Sequence, residues 1–294
     1  MRFIIRCCYL LSLLLLSLPT SAIASKPLPD VITYPTIKHN FKDHAYYFSL
    51  LTLILDSSAD RFGEYYLIET KSHMLQQRAI TEIQKNNGLL DIVWTMTSIE
   101  REKQLAPIRF PLLRGLGGYR ISLIHKDTRS KFENLTSEQA IKTLVAGQGA
   151  SWPDALVLKD NNYELLTVAG HDRLFKMLAH HRFDYMPRGL HEVWNDAELY
   201  PNLMVEPNFA LYYPSPYYFF VHPDNKRLIS RLTYGFIQAE KNGSFKRLFE
   251  SHPVTKNALT KANLAHRTVF QLDNNFMSEE TKKIISLLPH ELIN

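Results

Sequence analysis

The hydrophobic pattern of the chain alternates between short apolar runs and segments with helical spacing. The first clear unit has a strand at 65–70, a helix between Ser72 and Gly88, and a buried strand at 89–96. Ser72 is the candidate cap at the start of the helix, and Gly88 is suited to its end. A strand, a helix and a strand in this order predict a right-handed βαβ unit.

The same order of elements recurs after Tyr119. A strand at 121–125 is followed by a helix capped by Thr136 or Ser137, and strands then alternate with helices up to a short strand at 183–186. Alternation of this kind is typical of α/β proteins with largely parallel strands.

Two long extended segments, 120–126 and 210–222, are rich in aromatic and β-branched residues and have no helical pattern. We interpret them as two hinge strands that join two lobes. The predicted division places 25–119 and 215–294 in lobe 1 and 120–214 in lobe 2. The expected fold class is therefore α/β with two lobes.

The first 24 residues have the layout of a secretory signal peptide. Arg2 and Arg6 precede an apolar run at 9–18, and the small side chains of Ala22 and Ala24 predict cleavage after Ala24. The apolar run is too short for a membrane anchor. We therefore expect a periplasmic protein; the alternative is an uncleaved N-terminal helix that holds the protein on the membrane.

Composition narrows the function classes. Both cysteines, Cys7 and Cys8, lie in the leader, so the mature chain has none and a disulfide scaffold is excluded. The leader also carries two arginines and no acid, so its removal lowers the formal charge from +5 to +3. The remaining charges are scattered along the chain, which argues against a nucleic-acid partner.

Five segments carry a resemblance to a known family. They are the run TMTSIEREKQLAPIRFP at 95–111, Gly-Tyr-Arg at 118–120, the glycine turn GQGASW at 147–152, the block LFKMLAHHRFDYMPRG at 174–189 and NGSFKRLF at 242–249. Their order and spacing resemble bacterial extracellular solute-binding proteins of family 3, the amino-acid-binding type with the type II periplasmic-binding fold. No single motif is specific, but their order is, and the resemblance covers nearly all of the mature chain.

The resemblance implies that Arg101 pairs with the carboxylate of a ligand, since a guanidinium offers a planar fork of donors. Thr95, Thr97 and Ser98 are the nearby hydroxyls, whereas the family's contact position five residues before the arginine is Met96 here. The alternative is that Arg101 is a surface residue paired with Glu100 or Glu102.

The resemblance also implies ligand contacts at the glycine turn, on Ala150 and Ser151. Ser151 precedes a predicted helix, whose free N–H groups favour anions. The alternative is that Ser151 caps this helix and binds no ligand. Trp152 is expected either to stack on the ligand or to pack against the protein.

A third position departs from the family. Where amino-acid binders place an Asp for the ligand ammonium, this chain has Gly189, preceded by Arg188. If Arg188 faces the cleft, the ligand is an anion such as a dicarboxylate and ordinary amino acids bind poorly. Alternatively, Arg188 pairs with Glu192.

The expected function is therefore capture of a small, anionic or carboxylate-bearing molecule by a monomer that serves a membrane transporter or a sensor. No cofactor is expected, and the 12 histidines lack metal-ligand spacing, so no metal site is expected either. The alternative is an enzyme, since cyclohexadienyl dehydratases resemble the same fold. Such an elimination needs a proton donor, for which His191 and Glu192 are the candidates.

Overall fold

A computed structural model describes residues 28–36, 43–133, 135 and 137–287. The predicted signal peptide at 1–24 lies outside the described residues. Among the described helices, none combines the length and the apolar character needed to cross a bilayer.

The described part of the chain forms strands and helices in alternation. Its strands are β1 Asp30–Tyr34, β2 Tyr65–Glu69, β3 Ile92–Met96, β4 Ala106–Ile108, β5 Tyr119–His125, β6 Ala146–Gly149, β7 Leu165–Val168, β8 Tyr185–Gly189, β9 Leu203–Val205, β10 Phe209–Tyr212, β11 Tyr217–Val221 and β12 Thr268–Gln271. Its α-helices are α1 Asp43–Asp56, α2 Ala59–Phe62, α3 Gln76–Lys85, α4 Ile99–Gln104, α5 Arg129–Glu133, α6 Glu138–Lys142, α7 Pro153–Asp160, α8 His171–Ala179, α9 Val193–Leu199, α10 Lys226–Lys241, α11 Ser244–Ser251, α12 Pro253–Ala262 and α13 Glu279–Ser286.

The first lobe is built around β1 to β4 and β11. Strand β1 pairs with β2 in parallel, and β11 lies antiparallel between β3 and β4. The two groups join beside β3, where the Asp91 amide donates to the Thr33 carbonyl at 2.9 Å and the Thr33 amide donates to the Asp91 carboxylate at 2.7 Å. Helices α1, α10, α11 and α12 contact one another on this lobe.

The second lobe contains a seven-stranded sheet in the order β12-β10-β5-β8-β6-β7, with β9 also paired to β5. Strands β6, β7 and β8 run parallel to one another, and β5 runs antiparallel to β8. Most apolar residues of the seven-stranded sheet and of β3 and β11 are buried in a packed interior, whereas Val31, Tyr66 and Ile68 of β1 and β2 are exposed.

Two adjacent segments connect the lobes. The Tyr213 amide donates to the Gly118 carbonyl at 3.1 Å, and the Ser215 hydroxyl donates to the Gly117 carbonyl at 2.7 Å. A Cβ on Gly117 would lie 3.1 Å from the Ser215 carbonyl oxygen, so a glycine permits this close approach. One connection falls within the predicted hinge strand 210–222, whereas Gly117 and Gly118 precede the predicted hinge strand 120–126, most of which forms β5 of the second sheet.

A third connection was not predicted. The chain enters the second sheet again as β12 and returns to the first lobe before α13. On this return Asn274 donates to the Pro214 carbonyl at 2.7 Å, and the Ile99 amide donates to the Phe276 carbonyl at 2.8 Å. The lobe division at 119/120 and 214/215 stays a prediction, but the pairing of β12 links 268–271 to the second sheet.

Helix caps show where local sequence was informative. Ser137 accepts a hydrogen bond from the Ala140 amide at 3.2 Å, which confirms its predicted capping role. The predicted cap at Ser72 is wrong, because α3 begins at Gln76 after Leu75.

The glycines predicted to form a turn at 147–149 instead end strand β6. A Cβ on Gly147 would lie 2.2 Å from the ring of Phe183, so packing against that ring requires a glycine there.

Candidate ligand-binding site

A cavity of about 570 Å³ lies between the two lobes. Four strands direct their carboxyl ends to it: β3, β6, β7 and β8 are each followed by residues that line its wall. Ligand sites of α/β proteins form at this end of the strands, because loops leave the sheet there and adjacent helices begin. The cavity is thus the candidate ligand-binding site.

Six of the eight predicted site residues line this cavity: Thr95, Arg101, Ala150, Ser151, Trp152 and Arg188. Thr97 and Ser98 do not. The Thr97 hydroxyl donates to Glu102 at 2.6 Å, and the Ser98 hydroxyl accepts from the Arg101 amide at 3.2 Å as the cap of α4. Their hydroxyls are used to hold α4 in place, so they position Arg101 and do not face a ligand.

Arg101 is buried, with 5% of its surface exposed, and its terminal nitrogens contact four neutral oxygens. Nη1 donates to the Thr95 hydroxyl at 2.5 Å and to the Met96 carbonyl at 2.7 Å. Nη2 donates to the Gln76 side chain at 2.6 Å and to the Ser151 carbonyl at 3.1 Å. The last of these bonds joins the two lobes across the cavity.

No carboxylate of the described residues forms a salt bridge with Arg101. Burial lowers the pKa of Arg101 to about 10, and Asp154 raises it only in part. The alternative of a surface residue paired with Glu100 or Glu102 does not hold, because Glu100 accepts from Gln104 and Glu102 binds Arg109, at 2.5 and 2.7 Å respectively. A buried cation without an acid favours an incoming anion.

The turn after β6 is shaped by Trp152. A Cβ on Gly149 would lie 2.4 Å from the Trp152 ring, so the glycine lets the ring lie across the strand end. Trp152 is also the residue that caps α7, without a side-chain hydrogen bond, and Pro153 begins the helix. The alternative role of Ser151 as this cap is therefore wrong; Ser151 instead contacts Arg101 through its carbonyl.

Arg188 lies on the opposite wall and is paired with two acids. Its Nε donates to Asp196 at 2.6 Å, and its Nη2 lies 3.0 Å from Glu192. The guanidinium also covers the rings of Trp152 at 4.9 Å and Phe175 at 5.6 Å. Both sequence alternatives are thus realised together, since Arg188 lines the cavity and pairs with Glu192.

Glu192 places a carboxylate where the sequence alone shows only Gly189. Its Oε2 accepts from the Gly189 amide at 3.3 Å, and a Cβ on Gly189 would lie 3.1 Å from that oxygen. Burial by itself raises the pKa of Glu192, but Arg188 and His191 outweigh it and lower the pKa to about 2. Glu192 is therefore ionised at neutral pH.

A second buried ion pair was missed by sequence reasoning. Arg120 donates to Asp154 at 2.7 Å, and the Tyr213 hydroxyl donates to the same oxygen at 2.6 Å. Burial raises the pKa of Asp154, yet Arg120 and Tyr213 together lower it. The available signal was an arginine inside an otherwise apolar strand, where a charge needs a partner.

Histidines surround the Arg188 wall. His44 and His171 line the cavity, whereas His191 lies behind it and contacts the Tyr47 hydroxyl through Nε2 at 3.0 Å. Burial lowers the pKa of each of the three to about 4, and Arg188 lowers those of His171 and His191 further. All three are neutral at pH 7.

No protein-family model matches the sequence, and no curated protein matches it. Three solved structures illustrate its structural similarity. An ancestral arginine-binding protein bound to arginine is 15% identical, with a TM-score of 0.55 over 75% of this chain and 96% of that chain. An ancestral amino-acid-binding protein, a precursor of cyclohexadienyl dehydratase, is 16% identical, with a TM-score of 0.52 over 76% of this chain and 94% of that one.

The third is a histidine kinase sensor domain with similarity to periplasmic binding proteins. It is 12% identical, with a TM-score of 0.53 over 76% of this chain and 95% of the sensor domain. Likeness at such low identity establishes architecture. The chain has the two-lobed α/β fold of the amino-acid-binding periplasmic proteins.

Proposed function

We propose that the protein is a periplasmic solute-binding protein that holds a small carboxylate-bearing ligand between its lobes. The observation that carries this proposal is Arg101, a buried cation on the cavity wall whose terminal partners are all neutral. A ligand carboxylate would supply the negative charge that the protein partners of Arg101 lack. A carboxylate binds a guanidinium through two parallel hydrogen bonds.

The dimensions of the cavity suit this role. Its volume of about 570 Å³ falls within the range of small-molecule sites. A carboxylate that reaches Nη2 of Arg101 replaces either Gln76 or the Ser151 carbonyl. Ser151 belongs to the other lobe, so a ligand that replaces its carbonyl requires that the lobes separate.

The charges around Arg188 and Glu192 affect which ligand charge the cavity favours. Arg188 is neutralised by Glu192 and Asp196, so it supplies no free positive charge, and the reason for expecting amino acids to bind poorly is removed. The ionised Glu192 lines the cavity and suits a positive group. A ligand with a carboxylate at Arg101 and an ammonium near Glu192 therefore fits better than a dicarboxylate.

Delivery to a transporter and presentation to a sensor both remain within the proposal. One structure of the same fold is itself a sensor domain of a histidine kinase. We expect a monomer that needs no cofactor.

Catalysis is less well supported by the proton donors that the chain offers. Glu192 has a pKa of about 2 and is already deprotonated at pH 7, so it has no proton to donate. His191 has a fully buried side chain and a pKa of about 4, so it is neutral and out of reach of a ligand. General acid catalysis works best with a donor whose pKa lies near the operating pH.

A screen of metabolites by thermal shift tests the function. At a concentration 100 times its Kd, a ligand stabilises the protein by about 2.7 kcal/mol, so a true ligand gives a clear shift. We expect amino acids to give the largest shifts, and the same compound should be recovered by mass spectrometry with unchanged mass. Stabilisation only by compounds without a carboxylate, or recovery of a product of lower mass, would contradict the proposal.

A further inference from the structure

A cluster of potential metal ligands lies at the far end of the second lobe. His125, Asp127 and His181 each offer one ligand atom, and these three atoms lie within 4.8 Å of one another. His125 ends β5, Asp127 lies in the turn that follows, and His181 lies in the turn between α8 and β8. Separate parts of the chain are therefore brought together at one point.

The geometry suits an ion with tetrahedral coordination. Nδ1 of His125 lies 3.6 Å from a carboxylate oxygen of Asp127, and the rings of His125 and His181 are centred 4.1 Å apart. Two nitrogen or oxygen ligands of one Zn²⁺ ion stand about 3.4 Å apart, given metal–ligand distances of about 2.0–2.2 Å. Only small side-chain movements would bring the three atoms to that spacing.

The cluster combines one fixed ligand with two adjustable ones. His125 is 8% exposed, and its Nδ1 accepts from the Asp127 amide at 3.2 Å, so an ion at Nδ1 would take the place of this hydrogen bond. Asp127 and His181 are exposed, so their side chains can turn towards an ion and ions can reach them.

The backbone of His181 is held in an uncommon conformation. Its φ of 55° lies in the left-handed region, and its amide donates to the Leu178 carbonyl at 3.0 Å. Histidine tolerates this region better than most residues, although the conformation still costs free energy. The turn presents the imidazole of His181 beside the ring of His125.

We propose that His125, Asp127 and His181 form a binding site for a transition-metal dication such as Zn²⁺. Two imidazoles and one carboxylate favour Zn²⁺ and its neighbours over Mg²⁺ and Ca²⁺, which prefer sites made of oxygen atoms. Three protein ligands leave a position for water or for a ligand from another molecule. The site is independent of the solute cavity, because His125 lies five positions beyond Arg120 in β5, about 17 Å along the strand.

Calorimetric titration of the protein with Zn²⁺, without a histidine affinity tag, tests this site. We expect one Zn²⁺ per chain and no heat from Mg²⁺. His181→Asn removes the imidazole but tolerates the same backbone conformation, and it should weaken Zn²⁺ binding at least about tenfold, since loss of even an outer-shell partner costs that much. Asp127→Asn, at an exposed position, should also weaken binding.

His180→Ala is the matched control, because His180 is the adjacent exposed histidine and its Nδ1 contacts the Lys176 carbonyl at 2.7 Å, outside the cluster. It should bind Zn²⁺ as the wild type does. The proposal is overturned if the wild type binds no Zn²⁺, or if His181→Asn and Asp127→Asn both bind it like the wild type. Melting without metal shows whether each variant is folded, and amino-acid binding should be unchanged in all of them.

Discussion

Arg101 and Arg188 both line the cavity, are 5% and 7% exposed, and differ in the charge of their partners. Arg101 contacts four neutral oxygens, whereas Arg188 is held by the carboxylates of Glu192 and Asp196. Burial therefore does not decide which arginine is available to a ligand. The partners decide it, because a cation already neutralised by two acids gains little from a third.

The largest expected effect concerns the paired arginine. Asp196 is 1% exposed and lies 2.6 Å from Nε of Arg188. Removing one partner of a buried ion pair costs about 3–5 kcal/mol, and Glu192 remains as a second partner. We expect Asp196→Asn to lower the free energy of unfolding by about 3 kcal/mol in urea denaturation.

Glu250→Gln is the matched control for this variant. Glu250 forms an exposed pair with Lys246 at 3.6 Å, and pairs of this kind contribute at most about 1 kcal/mol. Equal losses of stability in Asp196→Asn and Glu250→Gln would show that Arg188 is not held by its acids as described.

The same two arginines show what the sequence could predict. Arg101 stands between two glutamates in sequence, yet Glu102 turns away and accepts from Ser278 and Thr281, both at 2.7 Å. Those two partners lie at the start of α13, which reaches Glu102 only through the third connection between the lobes. Adjacent charges are thus a poor guide to pairing, because the partners are chosen by tertiary structure.

The helices and strands were easier to predict, since periodic burial depends on local spacing. The spacing of apolar residues predicts the α/β class, the elements around α3 and the strand–helix alternation of the second lobe. β12 has only four residues, too few for a recognisable strand pattern, and it pairs with β10, which is distant in sequence. The sequence therefore did not predict this strand. The family resemblance supplied Arg101 and the turn at Ser151, which spacing alone would not have selected.

The pH dependence of stability tests the surroundings of Glu192, because the histidines with lowered pKa lie near this carboxylate. His44 and His191 have folded pKa values of about 4, below the value of about 6.5 for an unfolded histidine. Protons therefore bind preferentially to the unfolded chain between these pH values. The stability from each neutral histidine is fully present above about pH 6.5 and is lost as the pH falls towards 4.

We expect each of these histidines to contribute a loss of about 1–2 kcal/mol in the free energy of unfolding between pH 7 and pH 5. His44→Phe keeps an aromatic ring against Trp94 and removes one titrating group, so it should reduce that loss by the same amount. His180→Phe, at an exposed position, should leave the loss unchanged. Identical pH profiles for His44→Phe and the wild type, measured by urea denaturation, would contradict the assignment.

The smallest loss of stability is expected on removal of Gln76, one of the neutral partners of Arg101. Gln76 is a half-buried residue that accepts a hydrogen bond from Nη2 of Arg101 at 2.6 Å, in the position that a ligand carboxylate would take. A buried hydrogen bond from a charged donor contributes about 1.5–3 kcal/mol, but Gln76 is only half-buried, so water can take its place at Nη2. Gln76→Ala should therefore lower the free energy of unfolding by about 1 kcal/mol.

Ligand affinity in Gln76→Ala should stay within about threefold of the wild type, under about 1 kcal/mol, because the variant removes a competitor for Nη2. Calorimetry with the amino acid found by thermal shift measures this. A loss of tenfold or more would mean that Gln76 itself holds the ligand.

We propose that Arg101 binds the carboxylate of the ligand, and calorimetry on Arg101→Ala measures the contribution of this contact. The variant should weaken binding by about 2–4 kcal/mol, because a desolvated carboxylate loses a bidentate, charge-assisted partner. That corresponds to roughly 30- to 1000-fold in Kd. Arg173→Ala, at an exposed arginine that also lines the cavity, is the matched control and should bind within about threefold of the wild type. If Arg101→Ala also binds within about threefold, under about 1 kcal/mol, Arg101 is not the carboxylate partner and the account is contradicted.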